Sequence, residues 1–192
     1  MAQVHQSLGY GTSLVMQPPL SDSIDDEDAP PSSLVTYRNG AKEYVSQEVL
    51  AGKYVGLLFG GNTPFCWGFC RAFAKIYALV APDNNFEVVF IGADRSRREF
   101  DRFVKTMPWL ALPYRNNKDL FTRYNIPLAP TRWPIMIVVG PDDKVAFEDV
   151  VPFARQCHAE KQPKAFASIF QGATESLQAS ASPRSLFRGW IP

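Results

Sequence analysis

Short apolar runs that alternate with amphipathic helical segments constrain the fold of this chain more than any other feature. The runs at 54–59 and 86–91 are of strand length and lie next to Gly or Asn pairs, as is typical of buried strands. Between them, apolar side chains recur at helical spacing from Trp67 to Val80. Strands that alternate with helices pair in one sheet, so the pattern predicts a central, mostly parallel sheet with helices on both faces.

The pattern continues on both sides of this core. Asn39-Gly40 is a strong short signal for a hairpin and predicts two strands over about 34–45. Ser96 and Glu99 form a capping box that begins a second helix, which Pro108 stops. The remaining predicted elements are a short helix at 119–124, a buried strand at 134–139, an antiparallel strand at 145–147 and helical material from about 153 to 170.

Charge is distributed unevenly along the chain, although the net charge is only +1. Residues 1–37 contain five acids and no Lys or Arg, which gives −5, and the other 20 basic and 14 acidic residues give +6. Four prolines and few apolar residues predict that 1–33 is a disordered acidic tail. An acid-rich, Arg-free start is unlike a mitochondrial presequence, and no apolar run is long enough to span a bilayer. We expect a cytoplasmic protein that binds no nucleic acid.

A second tail follows the predicted domain at 34–170. Residues 171–192 are mostly small and polar, apart from a compact apolar and Arg cluster near the end. Aromatic and Arg side chains of this kind are favoured at the centres of protein interfaces. The tail either folds back onto its own domain or docks into another protein, through Leu186, Phe187, Arg188 and Trp190.

The three cysteines bound the possible chemistry. An odd and small number of cysteines indicates a reducing compartment and excludes a disulfide-stapled scaffold. Cys66 and Cys70 follow the end of the first core strand, where sites in such sheets gather. Cys157 and the adjacent His158 match no common zinc spacing, and His5 is the only other histidine. We therefore expect neither a metal nor a cofactor, and we interpret Cys157 as a packing residue.

Several stretches of the chain carry a family resemblance: 52–59, 85–90, Met-Pro-Trp-Leu-Ala-Leu-Pro-Tyr at 107–114, and 124–126. On these stretches, over about 34–148, the chain resembles the thioredoxin fold and, within it, the tryparedoxin and nucleoredoxin group. The resemblance implies a thioredoxin-like α/β fold with a mixed central sheet. It also implies thiol–disulfide oxidoreductase activity.

The cysteine motif departs from the family's pattern. Family members typically carry Trp-Cys-Pro-Pro-Cys-Arg, whereas this chain reads Phe-Cys-Trp-Gly-Phe-Cys-Arg over 65–71. If Cys70 and the following Arg match the family's second cysteine and its Arg, Trp67 stands in place of the nucleophile. If Phe65 and Cys66 match the aromatic residue and the nucleophile, one residue has been inserted before Cys70. The second alignment makes Cys66 the nucleophile and Cys70 the resolving thiol.

Thiol–disulfide exchange needs a thiolate and a nearby partner thiol. A helix N-terminus lowers the pKa of a cysteine placed there. The third residue between the cysteines moves the second sulfur about a further 100° around the helix, so we expect a disulfide only if Cys66 lies in the preceding loop. The strand at 54–59 contains no acid, so it supplies no buried proton acceptor.

The resemblance also implies a cis-proline beside the cysteines and a substrate groove around it. Pro130 keeps the family's Pro-Thr pair, whereas Pro134 lies directly before the next strand, and we favour Pro134. Trp133 either blocks the groove or forms a new contact in it. Phe65 and Trp67 complete the predicted groove.

Two functions follow. In the first, the chain is an oxidoreductase that acts through Cys66 and Cys70 on a protein disulfide client or a dithiol donor, as the retained cysteine pair favours. In the second, it is a redox-inactive subunit of a larger assembly, held by its two tails, as the altered spacing and the missing prolines favour.

Overall fold

The computed structural model describes residues 29–30, 32–114 and 117–171. Most of the predicted acidic tail and the anchors Leu186, Phe187, Arg188 and Trp190 lie outside the described residues. Seven strands form one sheet in the order β2-β1-β5-β4-β3-β6-β7. They are β1 Ser33–Arg38, β2 Ala41–Ser46, β3 Tyr54–Gly60, β4 Phe86–Gly92, β5 Leu110–Ala111, β6 Ile135–Val139 and β7 Val145–Phe147.

Within the described part of the chain, α-helices and short 3-10 helices connect and cover these strands. The 3-10 helices are Gln47–Leu50, Pro130–Arg132 and Pro163–Ala167, the last of which packs against α1. The α-helices are α1 Pro64–Val80, α2 Arg97–Val104, α3 Lys118–Arg123 and α4 Val151–Ala159.

The sheet is mixed, and only its centre is parallel. β4 pairs in parallel with β3 and with β5, whereas β1–β2, β1–β5, β3–β6 and β6–β7 are antiparallel. The mixed sheet implied by the family resemblance is therefore confirmed, and the mostly parallel sheet inferred from strand–helix alternation is wrong. The reason is that the hairpin at Asn39-Gly40, where both residues have positive φ, and the β6–β7 return add antiparallel strands at both edges.

Helix α1 begins three residues earlier than the predicted start at Trp67. The Thr63 hydroxyl accepts a hydrogen bond from the Cys66 backbone N–H at 3.2 Å, which caps the helix. Pro64 occupies the first turn, where its missing N–H costs no helical hydrogen bond. Cys66 therefore lies inside the helix and not in a loop before it.

An aromatic cluster joins the inner face of α1 to the rest of the core. The ring of Phe73, which is 1% exposed, lies 5.3 Å from Phe69, 5.6 Å from Trp109 and 5.5 Å from Phe166. Together with Ile76 and Val80, also 1% exposed, these residues confirm the predicted apolar face of the helix. Within the described ranges, no helix has the length and apolar character needed to cross a bilayer.

The core role of Phe73 is testable by truncation. Phe73→Ala should lower the free energy of unfolding by about 3–5 kcal/mol, because it leaves a cavity where three aromatic rings meet. Leu79→Ala, on the exposed side of the same helix, should change it by less than about 0.5 kcal/mol. Urea unfolding measures both variants, and equal effects at the two positions would contradict the placement of Phe73 in the core.

Candidate dithiol site

The candidate site lies where β3 ends and α1 begins. Gly61, Asn62 and Thr63 make the connection, and the neighbouring strand β6 begins directly after a cis Trp133–Pro134 bond. Because Phe59 pairs with Ile135, the cis-proline lies beside this connection. The choice of Pro134 over Pro130 is confirmed.

The two site cysteines are buried one helical turn apart. Cys66 is 1% exposed and Cys70 is 6% exposed, and both are free thiols. Residues four apart share one face of a helix, with Cβ atoms about 5–6 Å apart. A disulfide spans only about 3.5–4.5 Å between Cβ atoms, so closing a Cys66–Cys70 disulfide requires the first turn of α1 to shift. The predicted condition that Cys66 must precede the helix is not met, because Thr63 and Pro64 start the helix earlier. Helical placement nevertheless leaves the two thiols as neighbours.

Burial dominates the acidity of both thiols. It raises the pKa of Cys66, against the lowering effect of hydrogen bonds from the Thr63 side chain and the Gly61 backbone, and Asp94 raises it slightly further. Burial also raises the pKa of the Cys70 thiol, and so does Cys66 beside it. The expected lowering at the helix N-terminus is therefore outweighed by desolvation, and both groups are protonated at neutral pH.

Asp94 is a site residue that the sequence interpretation missed. It follows β4, and its Oδ1 accepts a hydrogen bond from the Asn62 backbone N–H at 2.6 Å. Its Oδ2 is buried and has no hydrogen-bond partner among the described residues. Burial raises the pKa of Asp94 to about 6, the Asn62 hydrogen bond lowers it and Glu99 raises it. The sequence signal that could have identified Asp94 is an acidic residue just after a core strand. That signal is obscured because Asp94 begins a charged stretch typical of a solvent-exposed helix face.

The predicted groove residues differ in their exposure. Phe65 is 64% exposed, and Pro130 is also exposed. Trp67 is half-buried, with its Nε1–H donating to Asn62 Oδ1 at 2.6 Å and its ring 5.1 Å from Phe103.

Trp133 and Pro134 are buried. Trp133 donates its Nε1–H to the Pro127 carbonyl at 2.8 Å and packs on Gly61, where a Cβ would lie 3.1 Å from its ring. Trp133 thus covers the connection that leads to Cys66. The substrate-binding role of these groove residues stays a prediction.

Cys157 lies apart from this pair. It is 2% exposed and lies on α4. Among the residues that the structure describes, no group of three or more His, Cys, Asp or Glu side chains is arranged to hold a metal ion.

Comparison with known proteins gives one consistent result. A family model described as thioredoxin-like matches residues 52–145. Probable nucleoredoxin 3 of Arabidopsis thaliana is 37% identical over 115 residues, which is 57% of this chain and 28% of that protein. Human nucleoredoxin is 32% identical over 113 residues, covering 56% of this chain and 25% of that protein. The chain thus spans about a quarter of the length of these relatives.

Among solved structures, the chain is similar to tryparedoxins. Tryparedoxin I from Crithidia fasciculata superposes with a TM-score of 0.57 at 26% identity, covering 68% of this chain and 90% of that one. Tryparedoxin II from the same organism gives 0.53 at 28% identity, covering 68% and 87%.

The raised thiol pKa values predict slow labelling of the folded chain. At pH 7, iodoacetamide should modify Cys66 and Cys70 at least about tenfold more slowly than in urea, because only thiolates react and both thiols are buried. The rate should still be rising above pH 9. Peptide-resolved mass spectrometry measures the labelling of each cysteine. Equal rates in folded and unfolded protein would contradict the prediction, because they would mean that both thiols are accessible and have unshifted pKa values.

The burial of Asp94 predicts a specific pH dependence of stability. Its pKa rises from 3.8 to about 6 on folding, so the folded state holds the proton more tightly. Between about pH 4 and pH 6 this residue's contribution to the free energy of unfolding should fall as pH rises, by at most ~3 kcal/mol. Asp94→Asn should lack this fall. Denaturant unfolding across the range tests it, and parallel curves for the two proteins would contradict it.

Proposed function

Because the chain is a thioredoxin-fold protein of the tryparedoxin- and nucleoredoxin-like kind, we propose that it is a thiol–disulfide oxidoreductase working through Cys66 and Cys70. The observation that carries this proposal is the placement of two free thiols one helical turn apart at the start of α1, next to cis-Pro134. Its substrates are protein disulfides or a small dithiol donor.

The two thiols have different surroundings, which support different roles for them in this proposal. The Thr63 hydroxyl and the Gly61 backbone both stabilise a negative charge on the Cys66 sulfur. Cys70 lies one turn further into the helix, where burial dominates. Cys66 is therefore the thiol that attacks the substrate disulfide, and Cys70 then attacks the resulting mixed disulfide and releases the reduced substrate.

Burial makes access to Cys66 the slow part of this reaction. A substrate sulfur reaches a thiol that is 1% exposed only when the start of α1 separates from its neighbours. The Trp67–Asn62 hydrogen bond and the packing of Trp133 on Gly61 oppose that movement. Phe65, exposed beside Cys66 in the chain, offers an apolar contact for an incoming polypeptide.

Substitution of each cysteine tests the proposal. Cys66→Ser should abolish the reduction of insulin with dithiothreitol as electron donor, to the rate without protein. Cys157→Ser, a matched substitution of a buried cysteine away from the pair, should retain it. Cys70→Ser should accumulate a mixed disulfide at Cys66, because the resolving thiol is gone. Turnover by Cys66→Ser equal to that of the wild type would refute the proposal.

A second candidate is a redox-inactive binding subunit of a larger assembly. The observation that favours it is that both thiols are at most 6% exposed while Phe65, next to them, is 64% exposed. In this case the surface around Phe65 and the anchors Leu186, Phe187, Arg188 and Trp190 would bind protein partners. Localisation in the cytoplasm stays a prediction under either function.

Oxidation separates the two candidates. After treatment of the full chain with glutathione disulfide, an oxidoreductase should show a Cys66–Cys70 disulfide in the mass spectrum. A binding subunit should keep both thiols reduced and show no turnover. Its partner, isolated with the full chain by pull-down, should no longer co-purify when residues 183–192 are deleted.

A further inference from the structure

A buried thiol must lose its proton before it can attack a disulfide, so it needs a proton acceptor. For a buried thiol, a carboxylate side chain close by can serve as that acceptor. The acidic side chain that acts electrostatically on Cys66 is Asp94. Resting on the dithiol chemistry proposed above, we propose that Asp94 is the proton acceptor for the Cys66 thiol.

The pairing of β3 with β4 brings the two groups together. Gly60 and Gly92 are register partners in this parallel pair. A Cβ on Gly60 would lie 3.0 Å from Cys66 Sγ, and a Cβ on Gly92 would lie 2.8 Å from Asp94 Oδ2. Register partners project to the same face of a sheet on strands about 5 Å apart. The thiol and the carboxyl oxygen therefore lie over neighbouring positions of one sheet face.

The connection between β3 and α1 is hydrogen-bonded to the segment that carries Asp94. Ala93 N–H donates to the Gly60 carbonyl at 2.9 Å, and Asn62 N–H donates to Asp94 Oδ1 at 2.6 Å. These two bonds hold the carboxyl in place and occupy one of its oxygens. The orientation of Asp94 is thus set by the same short stretch of chain that leads to Cys66.

The other carboxyl oxygen is the one that can take the proton. Oδ2 is buried without a hydrogen-bond partner in the described part of the chain, and a buried carboxylate oxygen in that state is costly. Protonation removes the cost, and burial with the charge of Glu99 on α2 raises the pKa of Asp94 to about 6, close to neutrality. From α4, Arg155 acts on Cys66 in the opposite sense and favours the thiolate.

The step balances within the site and the substrate. The S–H bond of Cys66 breaks, and its proton moves to Asp94 Oδ2. The Cys66 sulfur forms a bond to one substrate sulfur while the substrate S–S bond breaks and its electron pair stays on the leaving sulfur. That thiolate then takes the proton from Asp94 or from water, so one disulfide is exchanged for another with no external oxidant or reductant.

The single-step reaction of Cys66 with 4,4′-dithiodipyridine tests this role in the full chain. Mixed-disulfide formation at Cys66 is followed by peptide-resolved mass spectrometry across pH 6–11. Asp94→Asn should be at least about tenfold slower than the wild type at pH 7, because the acceptor is lost. The two proteins should converge at high pH, where hydroxide removes the proton. Asp94→Glu, which keeps a carboxyl, should restore part of the neutral-pH rate.

Two results would overturn the proposal. An equal or faster reaction of Asp94→Asn at pH 7 would mean that Asp94 acts only as a negative charge that disfavours the thiolate. A rate lowered by the same factor at every pH would mean that Asp94 only holds the loop. Asp83→Asn, exposed beyond the other end of α1, is the control and should match the wild type. The reaction needs no turnover, so an inactive chain in the insulin assay would count against the proposed function and not against Asp94.

Discussion

The hydrogen bond from the Cys66 backbone N–H to the Thr63 hydroxyl fixes where α1 begins, and the positions of the site side chains follow from it. With Pro64 in the first turn, Phe65 points to solvent and Cys66 points into the core. One turn later Cys70 lies on the same buried face. The same cap that makes the thiols neighbours therefore also removes them from water, and proximity and burial arise from a single local structure.

Two glycines at the ends of paired strands make room for the reactive groups. Any larger residue at Gly60 would meet the Cys66 sulfur, and any larger residue at Gly92 would meet Asp94 and the Phe100 ring. Without side chains at these positions, the Cys66 thiol and one Asp94 carboxyl oxygen are accommodated over neighbouring positions of the sheet. Burial raises the pKa of both groups, and the charge of Asp94 adds to the rise at Cys66.

Periodic segments were predictable from sequence, whereas boundaries and burial were not. The apolar spacing of α1 and the run of β4 identified both elements, because each is long enough to show its period. β5 has only two residues and shows none. The start of α1 is predicted too late because apolar spacing alone sets it at Trp67, whereas the Thr63 cap and Pro64 begin the helix. Asp94 is not predictable from sequence, because only the pairing of β3 with β4 places it beside the connection to α1, unlike the exposed charged residues that follow it.

Conservation of the thioredoxin fold does not by itself determine whether this chain turns over disulfides. In a site that is open to solvent, a helix N-terminus is sufficient to make a cysteine acidic. Here desolvation outweighs the helix and the donors at Thr63 and Gly61, so thiolate formation depends on what replaces water. The hydrogen bonds of Asn62 to Trp67 and to Asp94 connect the first turns of α1 with the carboxyl group. Because Asn62 makes both hydrogen bonds, a substrate that displaces Trp67 also disturbs the residue that orients Asp94, and this would link access to Cys66 with the proton transfer proposed for Asp94.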